Sequence, residues 1–148
     1  MATLKDASSI HQIHTNAAKI TCSAFYSEKQ IQKWIENRTP NGYKGGISKK
    51  EIYVYDIENK VVAFSHIVKG EIIALFVNPS YQKRGIGKVL LSHGFEIATK
   101  ETNVVTLEAT PNAFHFYQNF GFQKISNSYT VRNGIKLEVI NMEMKSRE

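Results

Sequence analysis

The sequence predicts a mixed α+β fold, in which an antiparallel meander of three strands is extended by a parallel strand and a final hairpin. Three β-rich runs are separated by only two or three residues, which forces hairpin connections: residues 51–57, 61–68 and 71–77. A helical stretch at residues 85–100 precedes the next strand, 104–109, so this strand is expected to lie parallel to 71–77. Asn133-Gly134 then predicts a hairpin turn.

Two amphipathic helices are predicted before the meander. The first begins at Asp6 and ends near Phe25 or Tyr26, and its apolar residues recur at intervals of three and four: Ile10, Ile13, Ala17, Ile20 and Ala24. The second follows Ser27, which forms a capping box with Gln30, and stops before Pro40. A glycine-rich loop at residues 41–48 is expected next.

The later helices lie on either side of strand 104–109 in the chain. Helix 85–100 should bury one apolar face: Ile86, Val89, Leu90 and Ile97. Thr110 and Pro111 are typical of a helix N-terminus, and Gly121 is expected to close that helix. Strands 122–131 and 135–144 complete the order ααβββαβαββ.

Composition places the chain among folded proteins and limits its partners. Its 148 residues suit one domain over residues 1–148, and 42% are hydrophobic against 22% charged. No apolar run could span a membrane and the N-terminus lacks a secretory signal, so we expect a cytoplasmic protein with no membrane partner.

The single cysteine, Cys22, excludes a disulfide framework and a zinc finger, and no metal site is expected. The net charge of +6 is spread over the chain rather than concentrated in a stripe, so no nucleic-acid partner is predicted.

Residues 72–91 have the pattern of an anion-binding site, with a strand, a turn, a basic glycine loop and the start of a helix. Backbone N–H groups at a helix N-terminus have no intrahelical partner and lie at the positive end of the helix dipole. Gly85 and Gly87 lack the Cβ atoms that would hold a phosphate away from the backbone, and three cations add charge: Lys83, Arg84 and Lys88. The pattern predicts a site for a pyrophosphate-containing cofactor.

Two other phosphate-binding motifs are excluded by spacing. A P-loop would require glycine where Gln82 stands and serine or threonine where Val89 stands. A dinucleotide-binding fingerprint would require glycine or alanine where Leu90 stands, and it would not follow an antiparallel meander.

The segment Gln82-Lys83-Arg84-Gly85-Ile86-Gly87 resembles the Q/R-x-x-G-x-G/A signature of the GNAT superfamily of acyl-CoA-dependent N-acyltransferases. Residues 113–122 are similar to that family's A-x-x-x-Y-x-x-x-G-F block, with Tyr117 at the tyrosine. The resemblance covers about residues 6–144. It implies a mixed central sheet of about six or seven strands with a splayed parallel pair, flanked by about four helices. Relatives usually open with a longer first strand, and here it is expected to be truncated or missing.

The resemblance also implies that acetyl-CoA binds where strands 71–77 and 104–109 splay apart. The implied cofactor-binding residues line the first strand, the glycine loop and the helix after the second strand: Phe76, Val77, Gln82, Lys83, Arg84, Gly85, Ile86, Gly87, Lys88, Asn112, Phe116 and Tyr117. Thr110 is either a second contact to the pantetheine arm or only a helix cap.

Aminolysis of a thioester requires a neutral amine, stabilisation of an oxyanion and a proton for the departing thiolate. Tyr117 matches the family position whose phenol approaches the sulfur and donates that proton, although a core aromatic is the alternative interpretation. A backbone N–H near Phe76 or Val77 is the expected oxyanion donor. Glu71, eleven residues before Gln82 as in the histone-acetylating branch, is the first candidate base, and His66 is its substitute.

The leading functional hypothesis is an N-acetyltransferase that moves an acetyl group directly from acetyl-CoA to a primary amine of a small molecule or a protein. The alternative is a non-catalytic acyl-CoA-binding or sensing domain. The acceptor wall is expected to include Trp34, Tyr43 and residues 41–48, with Tyr129 and Arg132 opposite. Cys22 is not expected to act as a nucleophile. Many similar proteins are dimers, so a homodimer is also an expectation.

Overall fold

The computed structural model describes residues 1–146, and its core is one six-stranded mixed sheet. Five α-helices and six strands follow one another along the chain in this order: α1 (Ala7–Asn16), α2 (Glu28–Ile35), α3 (Lys44–Ser48), β1 (Ile52–Ile57), β2 (Lys60–Val68), β3 (Glu71–Val77), α4 (Ile86–Ala98), β4 (Val104–Ala109), α5 (Phe114–Phe120), β5 (Gln123–Arg132) and β6 (Ile135–Lys145). The strands lie in the order β1-β2-β3-β4-β6-β5. Only β3 and β4 are parallel, as predicted, and all other neighbours are antiparallel.

The expected first strand is reduced to a single backbone contact. The N–H of Ala2 donates to the carbonyl of Ile52 at 2.9 Å, and a short 3₁₀ turn at Leu4–Asp6 then leads into α1. The edge of the sheet at β1 is therefore covered by only one residue of the N-terminal segment.

The first helix ends earlier than predicted, in a π-helical turn at Ala17–Thr21. The N–H of Cys22 donates to Ala17 five residues back, at 3.1 Å. A π turn accommodates an extra residue, so the apolar stripe rotates relative to the predicted face. Ala18 and Cys22 are buried, whereas Ile20 and Ala24, both predicted on the buried stripe, are exposed.

Residues 41–48 are not the loop that the glycines predicted. A 3₁₀ turn at Pro40–Tyr43 leads into α3, whose Ile47 is buried against α1 and β1. Gly46 is required by packing rather than by flexibility, because a Cβ there would lie 2.8 Å from Cδ1 of Ile52.

Helices cover both faces of the sheet. On one face, α4 and α5 pack on a core that includes Leu91, Tyr117 and Phe122. On the other, α1 and α2 pack around Phe64 and Phe76. Val89, predicted on the buried side of α4, is 54% exposed, because the buried stripe runs instead through Ile86, Leu90, Leu91, Gly94 and Ala98.

The parallel pair opens at a β-bulge in β3. Pairing with β2 shifts from Ile67 opposite Ile72 to His66 opposite Ala74, which leaves Ile73 as an extra residue. Pairing with β4 is confined to Glu71 opposite Thr106 and Ile72 opposite Leu107. A bulge bends and twists the strand that carries it, so β3 diverges from β4 beyond Ile72. The predicted splay is thus confirmed, and it leaves a gap between the carboxyl ends of the two strands.

Candidate active site

A cavity of about 180 Å³ fills the gap between β3 and β4 on the side of α5. It brings together seven of the residues predicted to bind the cofactor: Phe76, Val77, Gln82, Gly87, Asn112, Phe116 and Tyr117. The π turn after α1 closes the cavity with Ala17, Thr21 and Cys22. We call this the donor cavity.

The backbone of β3 presents unpaired polar groups to the donor cavity. Asn78 N–H donates to the carbonyl of Val62 at 2.8 Å, and the antiparallel register continues from there to Phe76 opposite Phe64. In such a ladder only alternate residues direct their backbone N–H and C=O groups at the partner strand. The backbone groups of Phe76 therefore bond to β2, while those of Leu75 and Val77 are directed at the gap. Of the two predicted oxyanion donors, the N–H of Val77 is therefore the one directed into the gap.

The glycine loop continues the donor cavity as a second hollow of about 440 Å³. The hollow shares Val77, Gln82, Gly87 and Phe116 with the donor cavity. It also contains most of the remaining predicted cofactor residues: Lys83, Gly85, Ile86 and Lys88. Arg84 lies outside this set, with its guanidinium 4.9 Å from the centre of the Tyr81 ring. Together the two hollows form one groove from the loop to Tyr117.

Helix α4 begins with free N–H groups directed at this groove. Its first intrahelical bond is from Val89 N–H to the carbonyl of Gly85, so the N–H groups of the three preceding residues have no intrahelical acceptor. Gly85 has φ +81°, a left-handed conformation that favours glycine, and the space beyond its Cα is open. This open space fits a pyrophosphate.

Gly87 has a packing role in addition to the one predicted. A Cβ at this position would lie 3.3 Å from the ring of Phe116, so the missing side chain makes room for α5 to pack on α4. The contact places Phe116 over the groove.

Two polar side chains support a pantetheine-like ligand in the donor cavity. Asn112 Oδ1 is buried and has no hydrogen-bond partner within residues 1–146, so an amide N–H entering the cavity would satisfy it. Gln82 donates from Nε2 to the carbonyl of Val77 at 3.2 Å, which ties the loop to β3. The residues present therefore fit an amide-bearing, pyrophosphate-bearing cofactor.

Tyr117 is buried at the end of the donor cavity, between Phe116 and Phe122. Burial raises the pKa of its phenol above the usual value near 10. The phenol therefore carries its proton throughout the neutral range, as a proton donor must. Burial also raises the pKa of the Cys22 thiol, to about 11, which keeps it protonated and unreactive as a nucleophile.

A second cavity, of about 320 Å³, lies on the opposite face of the sheet, between β3 and the helices α1 and α2. It shares two residues with the donor cavity, Phe76 and Thr110, and we call it the acceptor cavity. Five aromatic side chains line it: Tyr26, Trp34, Tyr43, Phe64 and Phe76. Trp34 and Tyr43 were predicted there, as was Arg132, whereas Tyr129 is not among the lining residues.

His66 lies in the wall of the acceptor cavity and is paired with a carboxylate. Its Nε2 is 2.9 Å from Oε1 of Glu51, and both side chains are partly exposed. With a proton on Nε2 donated to Glu51, the imidazole presents the lone pair of Nδ1 as an acceptor. Glu51 was not predicted as a site residue, because its position just before β1 gives no sign of the contact with β2.

His14 contributes a second imidazole to the acceptor cavity, stacked on Phe76 at 4.4 Å. Its Nδ1 contacts Tyr43 Oη at 2.7 Å and Nη1 of Arg38 at 3.3 Å. A guanidinium can only donate, so Nδ1 is the acceptor and the ring proton resides on Nε2. Burial, with Arg38, His11 and Arg132 nearby, lowers the pKa of His14 to about 3. This histidine is therefore neutral, and it accepts hydrogen bonds through Nδ1.

Glu71 is exposed at the start of β3 and is not among the residues that line the acceptor cavity. Ile73, two residues further along β3, does line that cavity, so the side chains of Glu71 and Ile73 lie on the same face of the strand. Another carboxylate, Glu108 on β4, lines the cavity itself and was not predicted. The role of Glu71 as the base stays a prediction.

Comparisons with known proteins agree with the fold and the groove. The acetyltransferase (GNAT) domain family matches residues 22–146. An uncharacterised N-acetyltransferase, YafP from Escherichia coli, is 29% identical over 113 residues, which are 76% of this chain and 72% of that protein. A GCN5-related N-acetyltransferase from Rhodopseudomonas palustris superposes with a TM-score of 0.92 at 20% identity, over 97% of this chain and 92% of that one. YncA from Salmonella typhimurium, solved with acetyl-CoA, has a TM-score of 0.74 at 16% identity, over 99% and 92% of the two chains.

The chain belongs to the GNAT acetyltransferase family, as the two sequence signatures indicated. Its activity is that of an N-acetyltransferase, and GNAT enzymes take the acetyl group from acetyl-CoA and transfer it to an amine. Within residues 1–146, no helix is long and apolar enough to cross a membrane.

Proposed function

We propose that this protein transfers an acetyl group from acetyl-CoA to a primary amine of a small molecule bound in the acceptor cavity, with both substrates present at once. The observation that carries the proposal is the shared wall. The donor and acceptor cavities lie on opposite faces of the splayed strands, and Phe76 and Thr110 line both of them. An amine entering from one face and a thioester entering from the other meet at this wall, so no covalent intermediate on the protein is needed.

His66 is the residue that we propose as the base. An alkylamine has a pKa near about 10.4 and reaches the site mostly protonated, so a proton must be removed before it can attack. The Nδ1 lone pair can accept that proton, and the carboxylate of Glu51 on the other side of the ring stabilises the imidazolium that results. Neutral His14 cannot serve in this way, because its Nδ1 already accepts hydrogen bonds.

Glu71 is the rival base, reached through water from the acceptor cavity. Its exposure and its position two residues before Ile73 give it no direct place in the cavity wall. Transfer through an intervening water adds a step, so a relay through Glu71 would be less effective than direct transfer to His66.

Two further groups complete the proposed reaction. The thioester of acetyl-CoA supplies the activated acetyl group, and the N–H of Val77 stabilises the negative charge that develops on its oxygen. The phenol of Tyr117 donates a proton to the departing thiolate, since burial keeps that phenol protonated.

The proposal is tested by measuring free thiol release from acetyl-CoA with a panel of small primary amines, together with mass analysis of the products. We expect an acetylated amine and a sequential rate law, in which both substrates bind before either product leaves. Ping-pong kinetics would contradict direct transfer. Tight acetyl-CoA binding without acetylation of any amine would instead favour the sensing domain.

A further inference from the structure

Two arginines face the acceptor cavity from different parts of the chain. Arg38 follows α2, and Arg132 is the last residue of β5. Within residues 1–146, no carboxylate oxygen lies within 4 Å of either guanidinium, since the ion pairs found there involve other side chains. Both arginines therefore bring uncompensated positive charge to one small cavity.

Arg38 is held in place by neutral partners. Its Nε donates to the carbonyl of Trp34 at 2.9 Å, and its Nη1 contacts Nδ1 of His14. These contacts orient the guanidinium but leave its charge unpaired and some of its N–H groups free. Such a fixed, planar donor matches the geometry of a carboxylate.

Arg132 is oriented by hydrogen bonds to residues of its own strand. Its Nη1 donates to Oγ1 of Thr130 at 2.6 Å and to the carbonyl of Val131 at 3.1 Å. Its charge reaches the wall of the cavity at His14, because Arg132 and Arg38 both contribute to the lowered pKa of His14, after burial. An anion between the two arginines would be attracted by both.

The single carboxylate among the cavity residues lies on β4, close to the splay. Glu108 lines the cavity beside Thr110, one of the two residues shared with the donor cavity. An ammonium group is favoured near Glu108 and an anion near the arginines. The aromatic walls between these groups suit an apolar body.

We propose that the acceptor is a small amine that also carries a carboxylate, which Arg38 and Arg132 bind while the amine faces Glu108 and His66. The inference rests on the proposed function, because it assigns the substrate class of the same cavity. A cavity of about 320 Å³ suits a molecule of amino-acid size.

The test compares ligands that differ only in the charged group. Binding of 3-phenylpropionate and 3-phenylpropan-1-ol to the CoA-loaded protein is measured by calorimetry, and acetylation of phenylalanine and 2-phenylethylamine is measured by product analysis. We expect the carboxylate to bind about tenfold more tightly than the alcohol, as for charge-assisted hydrogen bonds. The difference should shrink as the salt concentration rises.

Variants assign the effect to the arginines. Arg132→Gln should reduce the preference without changing the affinity for the alcohol, and because Arg132 is exposed the variant should fold. Lys124→Gln removes one charge from the same strand outside the acceptor cavity and should keep the preference. Arg38→Lys, which keeps the charge but loses the planar fork, should weaken carboxylate binding only in part.

The outcomes separate the two proposals. Equal affinity for the two probes, or a preference that survives both Arg132→Gln and Arg38→Gln, would overturn the inference. If the two probes bind equally and 2-phenylethylamine is acetylated at least as fast as phenylalanine is, the inference is overturned while the proposed function stays intact. Carboxylate-selective binding without acetylation of these or any other amine would count against the proposed function and the assignment of the acceptor, and only the carboxylate site at the arginines would stand.

Discussion

The imidazole of His66 donates from Nε2 to Oε1 of Glu51 across 2.9 Å, on the wall of the acceptor cavity. The pair joins the residue before β1 to a residue near the end of β2, and α3 passes close to the ring, since a Cβ on Gly46 would lie 3.1 Å from Cε1 of His66. A histidine held by a carboxylate on one side has a defined lone pair on the other. This geometry makes the choice of base testable.

The first prediction is that His66→Gln lowers kcat/KM by roughly 10²-fold to 10⁴-fold, the range for loss of a general base. Glu51→Gln should produce part of that loss, and the double variant should be no worse than His66→Gln, because the pair acts as a unit. Steady-state kinetics at several pH values measure this. If Glu71→Gln instead shows the larger deficit, growing toward low pH, then Glu71 is the base.

The second prediction concerns the glycine loop. Gly85→Asp should weaken acetyl-CoA binding at least about tenfold, because it places a negative charge at the open N-terminus of α4. Gly85→Asn is the matched control, since asparagine has nearly the same size and also tolerates a positive φ. Binding is read from the rise in melting temperature with ligand. An equal loss in both variants would attribute the effect to size rather than charge.

The third prediction is that Tyr117→Phe retains acetyl-CoA binding but loses roughly 10²-fold to 10⁴-fold in kcat, as for a missing general acid. Because burial raises the pKa of Tyr117, the wild-type rate should not decline as the pH rises toward 10 through loss of this proton. Tyr53→Phe, which removes a phenol outside the donor cavity, is the control. Unchanged turnover in Tyr117→Phe would make Tyr117 a core residue only.

The fourth prediction links His14 to stability at acid pH. Its pKa is lowered to about 3, while an unfolded histidine titrates near about 6.5, so the neutral ring stabilises the fold above pH 6.5. As the pH falls from 6.5 toward 3, His14 becomes protonated in the unfolded chain but stays neutral in the folded protein. Between pH 7 and pH 5 this costs about 2 kcal/mol of unfolding free energy.

The measurement is urea denaturation of wild type and His14→Asn at both pH values. The variant should lose less stability on acidification, because its side chain does not titrate. His93→Asn, at an exposed histidine on α4, should behave like wild type. Identical acid sensitivity in wild type and His14→Asn would contradict the burial of a neutral ring.

The fifth prediction concerns the contact between α4 and the sheet. Alanine usually stabilises a helix relative to glycine by about 1 kcal/mol, but a Cβ on Gly94 would lie 2.7 Å from Cδ1 of Ile67. Gly94→Ala should therefore destabilise by about 1 to 3 kcal/mol, and Ile67→Val should reduce the loss. Gly45→Ala in α3 meets nothing within 4 Å and should be neutral or stabilising. Chemical denaturation decides the sign in each case.

The sequence by itself predicted the order of the six strands and named residues that line the donor cavity, although it missed α3. Alternating apolar runs with two- and three-residue connections predict the meander, and β3 and β4 have the bounds that their patterns indicated. The glycine signature and the Tyr117 block are local in the chain, so their spacing identified the family directly. The sequence left the oxyanion donor open between the N–H groups of Phe76 and Val77, and the register of β3 against β2 decided it.

Tertiary structure decided the acceptor half. Glu51, Arg38, Glu108 and His14 come from four separate segments, and no spacing in the sequence relates them. The π turn after α1 and the bulge at Ile73 each add one residue to a regular element, which rotates or bends everything that follows. Periodicity detects faces that repeat, so it predicted Ile20 as buried, but it cannot locate the single inserted residue that redirects a face. Which side chains meet across the cavity therefore depends on packing between distant segments, and only the folded structure defines it.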